Sequence, residues 1–154
     1  MTPRQNPFAA APDVLQTMLD FSNKATESGL EKSLLELVKM RASQINGCAN
    51  CIHMHGREAL QAGETAERLL LLDAFRESPL YTARERAALA WTEALTRLAG
   101  CHPSDADYAL LQAEFSPQEQ AKLTLMIVTI NAWNRFAVGF HFVHPVDRPT
   151  QKVA

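Results

Sequence analysis

Between Asp13 and Phe140 the apolar residues recur at spacings of three and four, and no segment alternates with period two for long enough to build a strand. That periodicity confines the chain to an all-α fold. Val14, Leu15, Met18, Leu19 and Phe21 outline a first helix, which Gly29 ends. Leu34, Val38 and Ile45 stripe a second, from about Glu31 to Ile45, broken by Asn46-Gly47. A third starts at or near Cys48 and runs to Ala62, with Gly63 as its stop. Thr65 caps a short fourth, Ala66 to Phe75, and Thr82 with Glu85 forms a capping box for a fifth, Ala83 to Ala99. Ser104 caps a short helix to Phe115, and Ser116-Pro117 opens the last, Gln118 to Phe140. The count is six to seven helices.

At 154 residues, length favours a single domain. Its expected bounds are residues 13–145, with an extended N-terminal arm at 1–12, marked by Pro3, Pro7 and Pro12, and a C-terminal tail at 146–154. The last helix is apolar on nearly every side, with Leu123, Leu125, Met126, Ile127, Val128, Ile130, Trp133, Phe136, Val138 and Phe140. Such a helix is either central in its fold or shared with another subunit. A homo-oligomer is therefore expected, with the arm reaching a neighbour.

Lys+Arg number 15 against 17 Asp+Glu, a net charge of -2, which gives no electrostatic footprint for nucleic acid or an anionic membrane. The longest aliphatic runs, Leu69 to Leu72 and Leu125 to Val128, are four residues each, so no membrane span is expected, and the first residues lack the apolar stretch of a secretory signal. The expected location is the cytoplasm. Three cysteines are too few to staple a fold.

Their placement says more. Cys48 and Cys51 form a Cys-x-x-Cys pair, followed by His53 and His55. At about 100° per residue, Cys51 lies roughly 60° from Cys48 on a helical wheel and His55 falls roughly between them, whereas His53 points to the other side. A helix N-terminus stabilises thiolate over thiol, a second thiol three residues on can resolve a sulfenic acid, and an adjacent imidazole can shuttle the proton. The segment reads as a dithiol redox site. Zinc held by the pair and the following His, with Cys101 or another residue as fourth ligand, is an alternative, as are two cysteines that merely pack. Covalent haem attachment would need His where Ile52 stands.

Other residues read more quietly. From periodicity alone Glu36, roughly 200° from Leu34 on the wheel, is a solvated surface acid. Glu58, one turn beyond His55, reads as half of a surface ion pair, with orienting His55 as the alternative, Cys101-His102 as incidental, and His141 and His144 as a surface or interface feature rather than a metal site. Trp91 and Trp133 read as core or interface side chains rather than substrate contacts.

Taken together, Glu36, Cys48, Cys51 and His55 have the spacing Glu-x11-Cys-x2-Cys-x3-His. With Ile45-Asn46-Gly47, Ala62-Gly63-Glu64, Arg84 to Leu95 and Asn131-Ala132-Trp133-Asn134-Arg135, this resembles the AhpD-like (alkylhydroperoxidase AhpD core) members of the carboxymuconolactone decarboxylase family over about residues 13 to 140. The resemblance implies an AhpD-like helical fold, thiol-dependent peroxide reduction, and assembly into homotrimers or homohexamers. It assigns Cys51 as the peroxidatic thiol, Cys48 as the resolving thiol, and Glu36 with His55 as the proton relay, which requires Glu36 to be at least partly buried. It implies a peroxide substrate and a dithiol reductant of lipoyl or thioredoxin type, with no cofactor and no metal. Asn50 departs from the pattern: the best-known alkylhydroperoxidase has a His immediately before its second motif cysteine, and a neutral amide relays no proton. Two alternatives stand beside this reading. One is the lactone decarboxylase chemistry that names the family, which needs no cysteine pair; the other is a non-enzymatic, zinc-stabilised oligomeric binding module.

Overall fold

The computed structural model describes residues 2–145, so the tail expected at 146–154 lies outside the described residues. The elements are α1 (Pro7–Ala10), α2 (Pro12–Thr26), α3 (Lys32–Ile45), α4 (Ala49–Gln61), α5 (Ala66–Leu70) with a following 3-10 turn (Leu72–Ala74), α6 (Ala83–Thr96), α7 (Asp105–Glu114) and α8 (Pro117–Phe140). There is no strand among the described residues.

Local chemistry sets these boundaries. Thr82/Glu85, Ser104/Asp107 and Ser116/Glu119 close reciprocal capping boxes at the starts of α6, α7 and α8, satisfying amide donors that a helix leaves unpaired. The expected helix from Ala66 to Phe75 is two pieces. Leu69, Leu72 and Phe75 are all buried at a spacing of three, which a 3-10 turn aligns on one side and a continuous α-helix would fan out.

At the centre is α3, packed against α4, α6 and α8. Its Leu34, Leu35 and Val38 meet Ala87 and Ala88 of α6 and Leu123, Met126 and Ile127 of α8. Leu37 and Met40 meet Ala59, Leu72, Phe75, Tyr81 and Leu89 on the other side. Nine of its fourteen residues are buried, so α3 has little solvated face. Two of them are charged. Arg41 donates through Nε to Glu93 of α6 at 2.8 Å, and Glu93 also receives Arg76 at 2.6 Å and lies 3.2 Å from Arg97.

By length and hydropathy α8 would pass for a membrane-crossing helix. Here Leu123, Met126, Ile127, Ile130 and Ala137 lie in the protein's interior, while Val128 and Val138 are exposed.

The N-terminal arm is not extended. Residues Pro7–Ala10 form a helical turn capped by Asn6, and Pro7 is buried. Arg4 donates its backbone N–H to the Phe140 carbonyl at 3.1 Å and its guanidinium to the Gly139 carbonyl at 2.8 Å. Phe8 stacks on Trp133 at 6.2 Å between ring centroids. The last carbonyls of a helix lack intrahelical donors, and Arg4 supplies them, so the arm docks on its own α8.

Candidate functional site

The turn between α3 and α4 is anchored before the cysteines begin. Asn46 donates to Asn131 (3.0 Å) and Asn134 (2.8 Å) of α8, and Asn134 donates to Ser43 (3.1 Å). Gly47 follows at φ +64, a left-handed conformation that costs glycine little. The chain then delivers Cys48 as the N-cap of α4, its Sγ accepting the Cys51 N–H at 3.3 Å. Cys48 and Cys51 are joined in a disulfide, with Cα atoms 5.3 Å apart, and both are buried against Ala137 and Phe142.

One turn past Cys51 stands His55, also buried. Its Nδ1 lies 2.8 Å from Glu58 Oε2 and 3.9 Å from Glu36 Oε2. A carboxylate only accepts, so the contact with Glu58 places the ring proton on Nδ1 and leaves the lone pair on Nε2. Burial pushes the His55 pKa down, the Lys39 ammonium pushes it further, and the Glu58 and Glu36 carboxylates resist without reversing it. The imidazole is neutral at neutral pH and able to act as a base.

Glu36 is not a solvated acid: it is 6% exposed, on a helix enclosed on most sides. Its Oε1 receives Lys39 Nζ at 2.8 Å, and Oε2 is buried without a hydrogen-bond partner among the described residues. Lys39 also approaches Glu58 Oε2 at 3.9 Å. Glu36, His55 and Glu58 place donor atoms within 4.8 Å of one another, near enough to hold a metal ion. The Lys39 ammonium already supplies a cation to this cluster.

Cys51 and His55 share the wall of an apolar cavity of about 410 Å³, completed by Phe8, Leu19, Met54, Trp133 and Phe142, with Ser22 and Asn50 at its edge. Trp133, expected in core or interface, therefore lines the space beside the sulfur, its indole N–H held by Ser22. Trp91 is elsewhere, bonded to Thr124 at 3.0 Å and tilted against Tyr108. Cys101 is exposed and on no wall of this cavity. His53 stacks on His144 at 4.6 Å and lines neither space beside the sulfurs, and His141 caps α8 in the left-handed conformation.

Sequence reasoning missed Lys39, whose position three residues after Glu36 was the available signal for an i,i+3 ion pair. It also missed Phe8 and Phe142, for which periodicity carries no signal. If Lys39 holds the His55 pKa down, Lys39→Met should raise it and Glu58→Gln should lower it, because the first removes a like charge and the second an opposite one. Histidine ring NMR titration checks both signs; a His55 pKa unmoved in Lys39→Met would remove Lys39 from the site's electrostatics.

A sequence profile of the carboxymuconolactone decarboxylase family matches residues 12–94. The chain is 33% identical over 139 residues to the uncharacterized protein YdfG of Bacillus subtilis (strain 168), covering 90% of this chain and 95% of YdfG. It is similar to the crystal structure of ATU0492 from Agrobacterium tumefaciens, described as a protein of unknown function and a candidate antioxidant defence protein AhpD. The two are 41% identical with a TM-score of 0.92, covering 95% of this chain and 100% of that one. The peroxidase-related protein from Silicibacter sp. TM1040, at 24% identity and a TM-score of 0.79 over 91% of this chain and 74% of that one, shares the fold.

Proposed function

Because this chain belongs to the carboxymuconolactone decarboxylase family, we propose that it acts there as an AhpD-like thiol peroxidase, reducing peroxides through Cys51 and Cys48. The observation that carries this reading is the placement of Cys51, half of an intramolecular disulfide, on one apolar wall with a buried neutral imidazole. In the reduced protein His55 takes the Cys51 proton through Nε2, and the Glu58 carboxylate on Nδ1 supports the imidazolium that forms; Glu36 and Lys39 complete the relay. The Cys51 thiolate attacks the peroxide's terminal oxygen, breaking the O–O bond, leaving an alcohol and a sulfenic acid. Cys48 attacks that sulfur and water departs, giving the disulfide. The Cys51 N–H directed at Cys48 Sγ stabilises the resolving thiolate for this step.

The apolar lining supports an organic hydroperoxide as substrate, and the cycle closes with a dithiol of the reducing cytoplasm, lipoyl or thioredoxin-type. The exposed Val128 on α8 supports a homotrimer or homohexamer; a 17.1 kDa species in sedimentation at micromolar concentration would exclude both.

Mass mapping after substoichiometric peroxide tests the assignment. Wild type should give the Cys48–Cys51 disulfide, Cys48→Ser a trappable sulfenic acid on Cys51, and neither should show oxidised Cys101. First oxidation at Cys101 would refute it.

A further inference from the structure

The two cysteines of the disulfide line two different, adjoining spaces. Cys51 lines the apolar cavity and Cys48 does not. Cys48 lines a second, smaller cleft of about 140 Å³, and Cys51 does not. Gly47, Ala49, Asn50, Val138 and His141 complete the cleft, and its walls are more polar than the cavity's. Asn50, Ala137 and Phe142 border both, so the two spaces adjoin at these residues.

A thiolate cleaves a disulfide by approaching one sulfur along the S–S axis from the side away from the other, so access decides which sulfur is attacked. We propose that the cleft on the Cys48 side is the entry site for the reducing dithiol, with Cys48 as the sulfur it attacks and Cys51 as the sulfur released. This rests on the dithiol reading above and assigns the two half-reactions to opposite faces of one disulfide. In the first step the reductant's thiolate forms a bond to Cys48 Sγ, the Cys48–Cys51 bond breaks, and its electron pair leaves on Cys51, which takes up a proton beside His55. In the second, the reductant's other thiol attacks its own sulfur in the mixed disulfide and releases Cys48 as thiol. One dithiol is oxidised to a disulfide, and one protein disulfide is reduced to two thiols. The narrow cleft fits a thiol carried on a slender arm. A dithiol set in a broad protein face would meet Val138 and His141 before it met the sulfur.

The test uses the oxidised full-length protein and no peroxide. Incubation with 2-mercaptoethanol in the presence of iodoacetamide, which captures the thiolate released, followed by peptide mapping, should place the mercaptoethanol adduct on Cys48 and the alkyl group on Cys51. The reverse distribution, or an even one, would overturn the proposal. As a second arm, Val138→Trp narrows the cleft from an exposed position, and Leu19→Trp narrows the cavity. The ratio of the dithiothreitol reduction rate to the cumene hydroperoxide oxidation rate should fall at least about tenfold in Val138→Trp and rise in Leu19→Trp. Equal ratios in both would also overturn it. A Cys48 adduct without any hydroperoxide turnover would uphold this inference and refute the peroxidase reading, so the two fail separately.

Discussion

Cys51→Ser is expected to abolish peroxide consumption, lowering turnover on the order of 10³-fold or more, because a serine hydroxyl near neutral pH supplies no comparable nucleophile and no sulfur to oxidise. Cys48→Ser should behave differently. It retains the attacking sulfur and should complete one turnover before stalling as the sulfenic acid, so a stopped-flow trace should show a burst without a steady state. Cys101→Ser should match wild type, since that cysteine is exposed and on no wall of the cavity. A peroxide assay with a lipoyl or thioredoxin-type reductant separates the three. Full turnover in Cys51→Ser would end the assignment of that residue.

The largest stability effect is expected at Glu93. Burial pushes its carboxyl up, but hydrogen bonds from Arg41 and Arg76 outweigh this and hold it below the ordinary carboxylate value. Glu93→Ala would leave the buried Arg41 guanidinium without its main counter-charge, a change worth about 3 kcal/mol of unfolding free energy. For a domain of this size that corresponds to roughly a 9 °C loss in Tm. The pH dependence has a definite sign. A carboxyl whose folded pKa is depressed contributes stability above its unfolded value near 4.5, and that contribution disappears as pH falls through the folded pKa. The Tm gap between wild type and Glu93→Gln should therefore be widest near neutrality and should close as acidification carries the pH from 4.5 down through the folded pKa. A gap constant with pH would mean that packing, not charge, sets Glu93's contribution.

What could be read from the residues divides along physical lines. Short-range signals served well: Asn46-Gly47 does break the chain between α3 and α4, Cys48 does stand at the start of α4, the capping box at Thr82 is formed, and Ser116-Pro117 does open α8. Each depends on neighbours within a few positions. Glu36 was misjudged on periodicity because a wheel drawn from one stripe, Leu34/Val38/Ile45, presumes an opposite face in water. Helix α3 is enclosed by α4, α6 and α8, so its second face is interior too. Only the four-residue spacing with Cys48, Cys51 and His55 pointed inward. The arm and Trp133 escaped for another reason. Phe8 meets Trp133 across the length of the chain, and no local pattern encodes which distant ring an aromatic side chain will find.

That distant meeting separates two properties usually tied together. The chamber beside Cys51 is roofed by Phe8 and Phe142, whose rings stand 6.2 Å apart, and Arg4 clasps the Gly139 carbonyl 135 positions away. Phe8 is 41% exposed and belongs to none of the buried clusters that hold the helices together. Selection can thus resculpt the chamber by editing a few residues of the arm, while the sulfurs, the imidazole and the helices that fix them stay as they are.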